Sequence, residues 1–120
     1  MIPNLCENNN NMKNLRKYLE ERNYEKLKKF LETSTPSSIN AALNKASKKE
    51  LEIIVNIFPN LAHVSMLGMF DTNLQNAVIS VIYDDNLKKV LDSSSNDELF
   101  LMTSFLDRDS KKKILNILPI

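Results

Sequence analysis

The stretch TPSSINAALNKASKKELEIIVNIF, residues 35–58, contains two successive segments of twelve residues. Each segment begins with a hydroxyl residue, Thr35 or Ser47, of a type favoured at helix N-caps. Apolar residues follow mainly four, seven, eight and eleven positions later, which is the spacing of one face of a helix. The stretch therefore predicts two short amphipathic helices joined by a brief turn.

The same spacing of twelve continues along the whole chain. Of the 36 positions on the predicted apolar face, 29 are apolar, whereas a hydrophobic content of 42% predicts about 15. Short helices are unstable alone, so they must stack on their neighbours. The sequence predicts an all-α fold, a right-handed superhelical array or solenoid of short helices with a twelve-residue repeat. The predicted units begin at Asn11, Asn23, Thr35, Ser47, Pro59, Asp71, Tyr83, Ser95 and Asp107.

Composition supports a helical domain and excludes several functional classes. The 120 residues include one Gly and four Pro, too few turn residues for an all-β protein of this size. A net charge of +1 gives no general attraction to nucleic acid or an anionic membrane. The lone Cys6 indicates a reducing compartment, and the absence of a long apolar run argues against a membrane span, so we expect a cytoplasmic protein. Residues 1–11 are expected to be a disordered leader, and residues 12–120 the folded domain.

Local signals refine the predicted helix boundaries. The pairs Ser47 with Glu50 and Ser95 with Glu98 have capping-box spacing. Pro36 is expected at the first helical position, where its missing N–H is harmless. Pro59 is expected to break a helix, and the two aspartates after Tyr83 suggest that the next helix begins one or two residues late.

The opening LRKYLEERNYEKLKKFLETSTPSSINAAL and the closing VLDSSSNDELFLMTSFLDRDSKKKILNILP resemble the cytosolic N-terminal domain of MgtE-type magnesium transporters. The similarity covers residues 12–119, and it lies in the rhythm of short helices more than in individual motifs. Thr35-Pro36-Ser37-Ser38 stands at the family's His-Pro-Ala-Asp type turn, and Asp97-Glu98 at its Asp-Asp helix start.

The resemblance implies a non-enzymatic regulatory domain that takes part in magnesium-dependent gating. Its partners would be the CBS domains and membrane part of a transporter, at the inner face of the membrane, or a second copy of the chain. The alternative is a free-standing helical adaptor, similar in fold to the N-terminal domain of the flagellar motor switch protein, with no role in ion transport. Both systems have a similar helical repeat in their N-terminal domain, so the fold alone does not tell which function this chain has.

Asp97 and Glu98 are the candidate magnesium ligands, because Mg²⁺ prefers carboxylate oxygens. Leu101 and Ser65 stand where the family pattern offers further carboxylates, so any site would be short of ligands. Carboxylates in the first turn of a helix also complement its dipole. Capping and metal binding are therefore both open for this pair, and no other cofactor is expected.

Nothing in the sequence predicts catalysis. The single histidine, His63, lies on the apolar face of its unit, where a partly buried, hydrogen-bonded role is expected. Gly68 is the only glycine, so the chain has no phosphate-binding loop. The lysine runs at residues 26–29 and 111–113 have acidic neighbours and are expected to be solvated helix faces with local ion pairs.

The middle of the chain is poor in charge. Residues 51–86 contain four acidic and no basic side chains, together with Phe58, Met66, Met69 and Phe70. These helices are either the most enclosed of the array or carry an exposed patch that binds a partner. Because uncharged polar groups need little desolvation on binding, we expect the partner surface at outward-facing asparagines, namely Asn56, Asn60, Asn73 and Asn76.

Overall fold

A computed structural model describes the backbone of residues 3–118 and the side chains of residues 12–118. This part of the chain is helical, with turns between the helices and no strand, which confirms the all-α prediction. Its elements are α1 (Pro3–Glu20), α2 (Tyr24–Thr33), α3 (Pro36–Leu43), α4 (Lys48–Ile57), a 3-10 turn (Pro59–Ala62), α5 (Val64–Leu67), α6 (Thr72–Val81), α7 (Asp84–Asp92), α8 (Asn96–Phe105) and α9 (Arg108–Ile117).

Most helices have their N-cap at one of the predicted unit starts. Except at Tyr83, the N-cap side chain accepts a hydrogen bond from a backbone N–H of the first turn, which satisfies one of the free donors there. Both predicted capping boxes are present, and Pro36 is the first residue of α3. The marked N-caps are Asn23, Thr35, Ser47, Asp71, Tyr83, Ser95 and Asp107.

Three boundaries differ from the prediction. Asn11 lies inside α1 and is not a cap. Pro59 is the first residue of the 3-10 turn and Phe58 its N-cap, so the proline starts a short element as well as ending α4. Tyr83 is the N-cap of α7, which begins at Asp84 and not one or two residues later as predicted. The paired aspartates lie in its first turn, where they complement the helix dipole.

The predicted apolar face supplies most of the core. Buried side chains include Ile54, Val78 and Val90 from the column seven residues after each mark, and many from the neighbouring column. Leu115 departs from this pattern, since 61% of it is exposed. Gln75, a polar residue on the same face, is buried and donates from Nε2 to the Leu67 carbonyl at 3.1 Å, which satisfies it.

The charge-poor middle of the chain is mostly enclosed. Phe70 is buried, and Phe58 and Met66 are partly buried against the core. Met69 is the exception, with 64% of its surface exposed. Enclosure therefore explains three of these four side chains.

The N-terminal segment is helical where its backbone is described. Helix α1 begins at Pro3, whereas the sequence predicted a disordered leader through residue 11, and the side chains of residues 3–11 lie outside the described set. Met12 and Leu15 are its first side chains seen in the core. The division into a leader and a domain beginning at residue 12 stays a prediction.

Across residues 3–118, every helix is too short or too polar to cross a lipid bilayer.

Candidate functional site

Asp97 and Glu98 lie in the first turn of α8, and Glu98 is held by its capping box. One oxygen of Glu98 accepts from the Ser95 N–H at 2.8 Å, and the other lies 3.4 Å from Nε2 of His63. The Ser95 N–H is the main cause of a pKa of Glu98 below its ordinary value. Among the described side chains, no three His, Cys, Asp or Glu groups are placed to hold a metal ion, so magnesium binding stays a prediction.

His63 has the partly buried, hydrogen-bonded role that the sequence predicted. Its Nδ1 accepts from the Ser65 N–H at 3.2 Å and so caps α5, while 22% of the side chain is exposed. Nδ1 also lies 2.9 Å from Oγ of Ser65, and Nε2 on the other side of the ring faces Glu98. The histidine thus joins two helices.

The four predicted interface asparagines fall into two groups. Asn60 and Asn73 are exposed, as expected. Asn56 and Asn76 are only partly exposed, because the side-chain oxygen of each accepts a hydrogen bond from the N-cap N–H of a later helix. The interface at all four asparagines stays a prediction.

Partly exposed asparagines form a regular set of hydrogen bonds between helices. The Asp71 N–H donates to Oδ1 of Asn40 at 3.0 Å, and the Asp107 N–H donates to Oδ1 of Asn76 at 2.9 Å. Both pairs are separated by 31 residues, and the second pair lies 36 residues after the first. The Tyr83 N–H likewise donates to Oδ1 of Asn56 at 2.8 Å. In each case an asparagine satisfies the backbone N–H of a later N-cap.

Charged side chains make the same connection. Nε of Arg16 lies 2.9 Å from a Glu50 oxygen, which raises the pKa of Arg16 and lowers that of Glu50. The hydroxyl of Tyr83 donates to Glu52 at 2.7 Å, and this bond raises the pKa of the tyrosine. His63 and Glu98 are a further pair of this kind. These pairs join α1 with α4, α4 with the N-cap of α7, and the N-cap of α5 with α8.

Lys113 provides the densest of these contacts. Its Nζ donates to the carbonyls of Ile79 at 2.7 Å, Ile82 at 2.6 Å and Ser80 at 3.3 Å. These carbonyls lie at the C-terminal end of α6, where helical partners are lacking and a positive charge is favourable. Desolvation lowers the pKa of Lys113, and nearby Asp84 acts in the opposite direction. Lys113 is therefore a structural cation and not the solvated side chain that the sequence predicted.

A groove made of three neighbouring cavities follows one side of α6, between α4 and α9. It has three adjoining parts of about 580, 490 and 270 Å³, and Ser80 lines all three. The part at the start of α7 is lined by Lys48, Glu52, Ser80, Val81, Ile82, Tyr83, Asp84, Asp85 and Lys113. The part beside α9 adds Asn76, Ala77, Asp107, Asp109 and Ser110. The part beside α4 adds Leu43, Asn44, Ala46, Leu51, Asn73 and Leu74. We call the whole the α6 groove.

Two of the predicted interface asparagines, Asn73 and Asn76, line the α6 groove, whereas Asn56 and Asn60 do not. The groove itself was missed by sequence reasoning. Its floor needs small outward side chains, here Ala77 and Ser80, on a helix flanked on both sides by longer residues. The packing of longer residues on both sides of α6 depends on helices that are distant in the sequence and could not be predicted. The small residues of α6 are visible in the sequence and could have indicated an open surface.

Comparison with known proteins brings no relative to this chain: no family model, curated protein or solved structure matches it.

Proposed function

We propose that the chain is a non-enzymatic protein-interaction module that binds a partner in the α6 groove. The groove is the observation that carries the proposal, because residues of α4, α6, α7 and α9 line it together and the α6 residues Ala77 and Ser80 at its centre are small. A concave surface of this kind suits a polypeptide segment.

The architecture that we propose for the module is a right-handed superhelical array with a twelve-residue repeat and three units per turn. Its support is the common register of the bonds between helices. Asn40 bonds the N-cap Asp71, which lies 36 residues after the N-cap of its own helix, Thr35. Asn76 and Asp107 repeat that relation from Asp71. Each unit thus rests on the third unit after it.

A binding role is favoured over catalysis because the groups best suited to chemistry already have structural tasks. His63 caps α5 and contacts Glu98, and Lys113 caps α6. The regulatory part of a magnesium transporter and a free-standing adaptor both need such a binding surface, and either setting would place the module in the cytoplasm. Gating by magnesium has less support, since Glu98 is engaged in a cap and the exposed Leu101 replaces a family carboxylate.

The test is site-specific crosslinking in the native host cell. A photoreactive benzoylphenylalanine is placed at Ser80, in the middle of the groove, and in a second variant at Ser104. The two serines are matched, because each is exposed, is the ninth residue of a ten-residue helix and donates to the carbonyl three residues before it. We expect a discrete crosslinked protein from Ser80 and none from Ser104.

Equal crosslinking at the two positions, or none at Ser80, would contradict the proposal. A lysine in place of Asn73, which lines the groove, should weaken the Ser80 crosslink, whereas a lysine in place of Asn60 should leave it unchanged. Both asparagines are exposed, so neither substitution should lower the melting temperature.

A further inference from the structure

We propose that the occupant of the α6 groove is a partner segment that carries basic residues around an aliphatic one. The inference rests on the proposed binding role and adds the chemistry of the partner. It follows from the charges along the two ends of the groove and from the apolar floor between them.

The charges that line the groove are mainly acidic. Asp84 and Asp85, at the start of α7, line one part of the groove together with Glu52 of α4. Asp107 and Asp109, at the start of α9, line the next part. Against these five carboxylates the lining has two lysines, Lys48 and Lys113.

One of the two lysines is already used inside the protein. The ammonium of Lys113 donates to three carbonyls at the end of α6, so it contributes little free positive charge to a ligand. Asp85 and Asp109 are exposed, and neither forms an ion pair among residues 12–118. The groove therefore attracts cationic side chains at two separate places.

The part of the groove beside α4 has a different character. Its floor is made by side chains that are 2–7% exposed, Leu43, Leu51, Leu74 and Val81, next to the small Ala77. Lys48 is the charged residue at this part. An aliphatic side chain of the partner fits here, because it would cover apolar surface without desolvating a carboxylate.

The three parts adjoin at Ser80, which lines each of them. A single extended or helical segment can therefore place an aliphatic residue beside α4 and basic residues near α7 and α9 at the same time. This arrangement distinguishes the groove from a simple acidic patch, which would attract any polycation.

The experiment measures binding of three fluorescein-labelled peptides to the full chain by fluorescence anisotropy. The probes are KKALIAKR, its acidic counterpart EEALIAEE and the polar form KKASSAKR. We expect KKALIAKR to bind at low salt and to bind more weakly as the salt concentration rises. The acidic peptide EEALIAEE should not bind. The polar form should bind at least about fivefold more weakly, since it lacks the aliphatic centre.

Two pairs of variants test the location. Ser80→Trp fills the centre of the groove and should weaken the binding of KKALIAKR at least about tenfold. The matched Ser104→Trp should leave that affinity unchanged. Asp85→Asn should weaken binding about threefold, as expected for a partly solvated charge pair. Asp97→Asn is its control, because Asp97 is also the exposed second residue of a helix but lies outside the groove.

Equal affinity for the basic and acidic peptides, or unchanged binding in Ser80→Trp, would overturn the inference. So would a concentration-dependent dimer in sedimentation that Ser80→Trp abolishes while no peptide binds, because the occupant would then be a second copy. If crosslinking at Ser80 succeeds while the peptides fail, the proposed function stands and only the chemistry of the partner is wrong. If Ser80→Trp does not fold, the Asp85 and Asp97 variants decide, since both positions are exposed.

Discussion

Replacing Lys113 by methionine tests whether an ammonium that joins α9 to the end of α6 stabilises the fold. Methionine keeps most of the length and apolar volume of the side chain and removes the charge. The three carbonyls that Lys113 contacts then lose their donor, at distances of 2.6 to 3.3 Å in the native protein.

The expected magnitude comes from two opposing effects. A hydrogen bond to a charged group contributes about 1.5–3 kcal/mol, and Lys113 makes two short ones. Lys113 is only partly buried, so water can replace some of what is lost, and removing a desolvated charge recovers part of the rest. We expect the free energy of unfolding to fall by about 2 kcal/mol, which lowers the melting temperature by about 8 °C for a chain of this size.

Urea unfolding followed by circular dichroism is the assay, with Lys112→Met as the matched control. Lys112 is exposed on the same helix and makes no hydrogen bond or ion pair with the described residues, so its replacement should change stability by less than about 0.5 kcal/mol. Equal effects of the two substitutions would show that the carbonyl contacts do not stabilise the fold. A more stable Lys113→Met would show that desolvation of the charge outweighs its hydrogen bonds.

Three further measurements address the core, the acid response and the metal. Ile54→Asp or Val78→Asp should unfold the chain in thermal melts, because each places an unpaired charge at a fully buried position, while Lys112→Asp should not. Hydrogen bonds, chiefly from the Leu74 N–H, lower the pKa of Asp71 in the folded protein. The stability that Asp71 contributes is therefore present above its pKa in the unfolded chain and is lost as pH falls through its pKa in the folded protein. We expect the free energy of unfolding to fall as pH drops below about 4. Asp71→Asn should flatten that pH dependence in urea titrations. Calorimetric titration with magnesium should give a dissociation constant in the millimolar range or weaker, and a micromolar site lost in Asp97→Asn would contradict this.

The positions of the helices were largely predictable because caps and apolar spacing are local properties. Thr35, Ser47 and Ser95 are each close in sequence to the backbone N–H groups that they bind. Tyr83 shows the limit of that logic, since its side chain makes no cap, and the following aspartates stabilise the helix start instead. Leu115 shows another limit, because an apolar residue is buried only where a neighbouring element covers it.

The candidate site was less predictable because it depends on contacts between distant residues. Asn56 and Asn76 look like ordinary exposed polar residues in the sequence, yet each meets a helix 25 to 34 residues later. Lys113 belongs to a run of three lysines, and nothing local separates it from Lys111 and Lys112. The three-dimensional neighbours decide which of these side chains is structural and which is free to bind.

The bonds between helices also set an order in time for a chain made from its N-terminus. Asn40 cannot satisfy the Asp71 N–H until residue 71 has been synthesised, and Asn76 must wait in the same way for residue 107. At roughly 5–20 residues per second, the 31 residues that separate each pair take about 2–6 s to add. During synthesis, each of these two bonds can therefore form only after the 31 residues beyond its asparagine have been added.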